Sequence, residues 1–147
     1  MKMKTSARLR PRQRGFSLIE LMVTVAAVAI LAGVATPIYL EQTKKTRRAD
    51  GFACLMDAAQ RQENYFYTNN TYTTSVTNLG RTATCGDDGN YTLSVAAGTT
   101  GSIATSYKLT ATRAGTQASD KKCGDLTLSS EGVKGNVNAS SPASDCW

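Results

Sequence analysis

Glu20 is the one charged side chain in the run 16–40, FSLIELMVTVAAVAILAGVATPIYL. A carboxylate inside an apolar helix costs about 2.5–3.5 kcal/mol on insertion scales. In such surroundings it needs a cationic partner. From Leu21 to Leu40 there are 20 uncharged residues, enough to cross the hydrocarbon of a membrane as a helix. An ordinary secretory signal cut at Ala27-Val28-Ala29 and a simple uncleaved anchor both fit that length. Neither gives Glu20 anything to do.

The other reactive residues are Cys54, Cys85, Cys123 and Cys146. Their even count and wide spacing, with no CxxC pair and no histidine, favour disulfides over zinc ligation. That places the domain carrying them in an oxidising compartment. Four cysteines allow three connectivities. Asp87, Asp88 and Asn90 flank Gly89, but calcium-ligand spacing is not met, and a solvated turn is the expectation. Lys108, Arg113, Lys121 and Lys122 are a basic set without interleaved aromatics. No nucleophile–base set and no glycine-rich phosphate loop is found. An enzyme, a cofactor and a metal site are therefore not expected.

Charge separates the chain into parts. Six of the 17 basic side chains lie in residues 1–14, namely Lys2, Lys4, Arg8, Arg10, Arg12 and Arg14. Without them 11 basic side chains face 11 acidic ones, which argues against nucleic-acid binding as the default. The positive flank before the apolar run predicts that residues 1–15 stay cytoplasmic and that everything after Leu40 lies outside.

The elements that must position these groups are legible in outline. Phe52, Met56, Ala59 and Phe66 recur at helical spacing, so one helix is expected from Phe16 to about Tyr67, roughly 75–80 Å long. Inside it, Pro37 denies an N–H to the carbonyl of Gly33, which makes a local kink or unwinding easy. Strands are expected at Tyr91–Ala96, Tyr107–Thr112 and Leu126–Ser129, with a weaker one at Gly132–Gly135. Short turns between them predict a four-stranded antiparallel meander with one face on the helix. The fold class is α+β. Tyr65, Phe66, Tyr67 and Tyr72 are read as packing at the helix end, and Trp147 as packing beside Cys146.

Residues 14–20, Arg14-Gly15-Phe16-Ser17-Leu18-Ile19-Glu20, follow a short basic leader and open the apolar run. This constellation resembles the class III signal of type IV prepilins. The run Asp57–Phe66, the pairs Tyr72-Thr73 and Leu79-Gly80, the strand Tyr107–Thr112, Cys123–Leu128 and the terminal Asp145-Cys146-Trp147 look like the PilE-type minor pilins of type IVa pili. The resemblance covers nearly the whole chain. It implies the type IV pilin fold and a prepilin peptidase that cuts after Gly15 and methylates the amine of Phe16. Glycine's lack of a side chain suits a close approach to that bond. The new amine lies four residues from Glu20. The amine of the same chain or that of a neighbouring subunit can neutralise the acid, and the resemblance implies the neighbour. It also implies that the Gly33–Pro37 segment stretches or melts during assembly.

Pilins whose C-terminal loop is closed by a disulfide suggest Cys123–Cys146, and Cys54–Cys85 is expected beside it. The second pair departs from the simplest members. Each bond contributes about 3 kcal/mol in a loop-entropy account. The resulting division is 1–15, a cleaved leader; 16–40, the transmembrane and filament-core half of the helix; and 41–147, an extracytoplasmic globular domain. The implied protein is a minor pilin, single-pass in the inner membrane with its N terminus inside before assembly. It is then extracellular in a pilus serving twitching motility, adhesion or DNA uptake. Implied partners are major and minor pilins, the peptidase, the membrane and the inner-membrane assembly machinery. A major pilin, a type II secretion pseudopilin and a DNA-binding competence pilin are the alternatives.

Overall fold

The computed structural model describes residues 15–147. They fall into two units, one reaching Tyr39 and one spanning Leu40–Trp147. The basic residues 1–14 of the expected leader lie outside the described residues. Helix α1 is Leu18–Asn69, starting two residues after Phe16 and ending two beyond Tyr67. At its end, Asn69 donates from its amide to Tyr65 O at 2.9 Å. Asn70 then turns left-handed at φ 54°, with its N–H on Phe66 O. Asparagine tolerates that conformation, which stops a helix.

The second unit holds a meander of five strands: β1 Thr84–Cys85, β2 Tyr91–Ala97, β3 Tyr107–Arg113, β4 Asp125–Ser129 and β5 Lys134–Val137. Each pairs antiparallel with the next in chain order. The sheet therefore has five strands where four are expected. The additional one, β1, is two residues long, too short for any periodic signal. It is placed by Thr84↔Thr92 and Cys85↔Tyr91 pairing and by a bond from Cys85 to Cys54. The last strand lies at Lys134–Val137, not Gly132–Gly135, because Gly132 belongs to the turn. It adopts φ 76° and donates to Ser129 O at 2.9 Å.

The core lies between one face of α1 and the alternating inward residues of the sheet. Tyr91, Leu93, Leu109, Ala111, Leu126 and Leu128 are buried from the sheet side. In register, Val95↔Leu109↔Leu128 and Leu93↔Ala111↔Leu126 form two apolar rows. The helix contributes Gly51, Cys54, Leu55, Ala58 and Gln62. Of the expected face, Phe52 and Ala59 are half-buried, while Met56 is 55% exposed. The buried stripe is rotated toward small residues because the helix approaches the sheet closely at Gly51. A Cβ there would lie 3.1 Å from the Leu126 side chain and 3.2 Å from the Tyr91 ring.

A buried ion pair adds to this contact. The Arg48 guanidinium donates to both Asp120 oxygens, at 2.6 and 2.9 Å, and to Glu41. Gln117 donates to Asp120 and to the Tyr91 hydroxyl. Arg113 holds Asp125 through its backbone N–H and its side chain. Cys123 is bonded to Cys146, so the C-terminal segment closes back on β4. Trp147 stacks on Phe52 of the helix at 4.6 Å. At the helix end Phe66, Tyr72 and Tyr107 form a chain of rings, but Tyr67 is 89% exposed and takes no part in the core.

Burial pushes the Asp120 carboxyl up, but Arg48 more than offsets this and holds it below the usual carboxylate range. Asp125 is likewise raised by burial and lowered further by Arg113 and Asn138. Both folded values lie below the unfolded value of about 3.9. Their contribution is therefore complete above that value and is lost as pH falls through the folded values. Unfolding midpoints in urea should hold from pH 7 to about pH 5 and fall below about pH 4. Asp120→Asn, which removes one titration, should flatten that fall while lowering the midpoint at pH 7. Gly51→Val should destabilise the domain by about 1–3 kcal/mol through overpacking, read from the same urea curves at pH 7.

Candidate functional site

The N-terminal unit is built around the start of α1. Leu21 donates its N–H to Ser17 O at 3.1 Å, so Ser17 flanks the helix and Leu18 opens it. Glu20 falls in the first turn, where the positive end of the helix dipole favours a carboxylate. Phe16 precedes the helix, yet Gly15, Phe16, Ser17 and Glu20 border one open hollow. The Phe16 side chain is 85% exposed. A Cβ on Gly15 would meet nothing within 4 Å among the described residues.

Downstream the helix is apolar on every face. Residues 15–39 are all exposed, with Leu18, Ile19, Ile30, Leu31 and Ile38 each above 60%. Its threonine hydroxyls are satisfied locally. Thr24 donates to Leu21 O and Thr36 to Ala32 O. Glu20 is the polar side chain there that no neighbour in the helix satisfies with a charge. Helix α1 runs through both Gly33 and Pro37. It is long and apolar enough to cross a membrane, by length and composition.

Among the described residues no group of three His, Cys, Asp or Glu side chains could hold a metal ion. Asp87 and Asp88 stand exposed in the turn before β2. The basic set is split by the fold. Arg113 is committed to Asp125, and Lys108 lies on the outer face of the sheet in a groove with Glu131. Lys122, however, lines a cleft with Lys45, Phe52 and Trp147, and the Lys134 ammonium sits 5.2 Å from the centre of the Trp147 ring. This grouping of cations with aromatics is not visible in the order of the residues. Its members come from the helix, the segment before β4, β5 and the C-terminal end. Adjacency of Lys121 and Lys122 is its only trace in the sequence.

Residues 37–127 match the family model described as type IV minor pilin ComP, DNA uptake sequence receptor. Residues 10–36 match the prokaryotic N-terminal methylation motif. The fimbrial protein EcpC of Eikenella corrodens is 31% identical over 112 residues, 74% of this chain and 72% of that protein. The type IV major pilin protein PilA of Myxococcus xanthus is 32% identical over 92 residues, 63% of this chain and 42% of that one. The chain thus spans less than half the length of the Myxococcus protein. A solved type IV pilin from Shewanella oneidensis overlays with a TM-score of 0.49 at 26% identity, covering 71% of this chain and 97% of its own.

Proposed function

Because this chain belongs to the type IV pilin family, whose members are structural and assemble with other pilins in pili, we propose that it is a minor subunit of a type IV pilus. The observation that carries the filament reading is the helix of residues 18–39, exposed and apolar throughout after Glu20. An exposed stripe of that length is unstable in water and must be covered by lipid or by other helices. In this proposal a prepilin peptidase removes residues 1–15 and methylates Phe16. Residues 16–40 hold the subunit in the inner membrane, N terminus inside, with 41–147 outside. The assembly machinery then draws the subunit into a bundle of like helices. There Glu20 meets the Phe16 amine of a neighbour. Gly33 and Pro37 give the segment a place to unwind during the transfer.

Minor status draws on the description of the family model. The name of the Myxococcus relative marks a major subunit as the competing assignment. The same model description favours a second reading, a receptor for DNA on the pilus. The cleft that gathers Lys45 and Lys122 beside Trp147 is where phosphates would meet positive charge.

Glu20→Ala should leave the chain at normal level in membranes and lower its amount in sheared filaments. Equal incorporation would remove Glu20 from the assembly step, and absence of the unaltered chain from filaments would reject the pilus reading. For the second reading, filaments lacking this chain should retain less labelled duplex DNA per unit filament mass. Unchanged retention would discard it.

A further inference from the structure

The two flanks of α1 beyond its sheet-facing side carry opposite charge. On one, Lys45 and Phe52 border the cleft with Lys122 and Trp147. Lys121 adjoins it, and Lys134 lies over the Trp147 ring. Lys45, Lys121, Lys122 and Lys134 are exposed, and none is in a salt bridge among the described residues. Asp145 and Glu41 line the same cleft and offset part of their charge, Glu41 being shared with Arg48.

The opposite flank is acidic. Asp50 and Gly86 border one hollow beside the Cys54–Cys85 bond, and a Cβ on Gly86 would lie 3.4 Å from that of Asp50. Asp87 and Asp88 follow directly and are exposed. Asp57, nearby, is taken by Arg61 and Arg81. Arg47, a turn before Asp50, is half-buried and offsets part of the charge. Asp50 and Phe52 point about 160° apart around the helix axis, and Asp50 and Lys45 about 140°. The flanks therefore lie on different sides of the domain.

These acids stand apart from the rest. Glu41, Asp57, Glu63, Asp120, Asp125, Glu131 and Asp145 each accept a hydrogen bond or ion pair within the chain. Among the described residues beyond Leu40, Asp50, Asp87 and Asp88 are the acids left without one. Unpaired acids on one side and unpaired lysines on the other cannot meet within a single chain, but they can meet between chains. A contact of one patch against a different patch is heterologous, and repeated without closure it generates a helical filament.

We propose that the Lys45–Lys121–Lys122–Lys134 flank of one copy docks against the Asp50–Asp87–Asp88 flank of a second copy of this chain. The inference rests on the reading of the chain as a filament subunit, and holds wherever two copies are neighbours, at any abundance. Complementary patches of this kind fix partner and register.

The test uses the full chain, overproduced in piliated cells so that copies adjoin, with the ratio of chain in sheared filaments to chain in membranes as the readout. Lys121→Glu with Lys122→Glu should lower the ratio about tenfold, and Asp87→Lys with Asp88→Lys should do the same. Combining all four substitutions exchanges the signs at those four positions, with Lys45, Lys134 and Asp50 unchanged, and should return the ratio to within about twofold of the unaltered chain. No loss on either reversal overturns the proposal. Loss without recovery in the exchanged chain points to a different pilin as neighbour and also overturns it. If the unaltered chain is itself missing from filaments, the pilus reading falls as well. If it is present and only the recovery fails, the docking proposal falls alone.

Discussion

The first constraint on this chain is a helix that water will not tolerate. Residues 18–39 expose leucine, isoleucine and valine on all sides, and nothing in the described fold covers them. A globular protein would bury such a stripe in its own core, but here the core is made elsewhere. The stripe therefore demands an external apolar phase. Burial of that surface is the largest favourable term available, and it is non-directional. Direction must come from polar groups, and Glu20 is the polar group on hand. On the proposed filament reading, its position in the first turn of α1 would let a neighbour's cation select one register among many similar ones.

The domain beyond Leu40 solves a different problem, that of holding a small sheet on a helix with little apolar surface. Its helix face offers Gly51 and Ala58 where larger side chains would be usual. The close approach this allows brings Arg48 within reach of Asp120, a carboxylate that Gln117 also holds. A buried pair of this kind is weak evidence for stability but strongly penalises the loss of one partner, so it ties the helix to the segment before β4. The disulfides act at the two places where the sheet gives least. Cys54–Cys85 anchors the two-residue strand β1, and Cys123–Cys146 holds the C-terminal segment. Small cores commonly rely on such covalent closure.

Much of this is legible in the sequence, for reasons that differ by element. The apolar helix reads plainly because length and composition suffice. Strands β2 and β3 read well because half-burial forces alternation, as in Tyr91, Leu93 and Val95, whereas β4 is buried along 125–128 and shows only through the spacing of Leu126 and Leu128. The additional strand, β1, has no such signal, since two residues cannot alternate. The buried face of α1 is misread when large residues are followed, because Met56 looks like core and Gly51 does not. Only the proximity of Leu126 and Tyr91 shows why glycine is the inward residue. Tyr67 is misread for the same reason, as one aromatic among several whose side chain points away. The ion network is illegible because Arg48 and Asp120 are 72 residues apart. The grouping of lysines around Trp147 is equally hidden, since four separate segments supply it.

In this account the chain changes its surroundings once, and the change is prepared by a single cut that creates the cation Glu20 needs. The most direct test is the intact mass and N-terminal sequence of the chain recovered from membranes and from filaments. One species is expected in both, beginning at Phe16 and heavier by one methyl group. A chain beginning at Met1, or after Ala29, would contradict it.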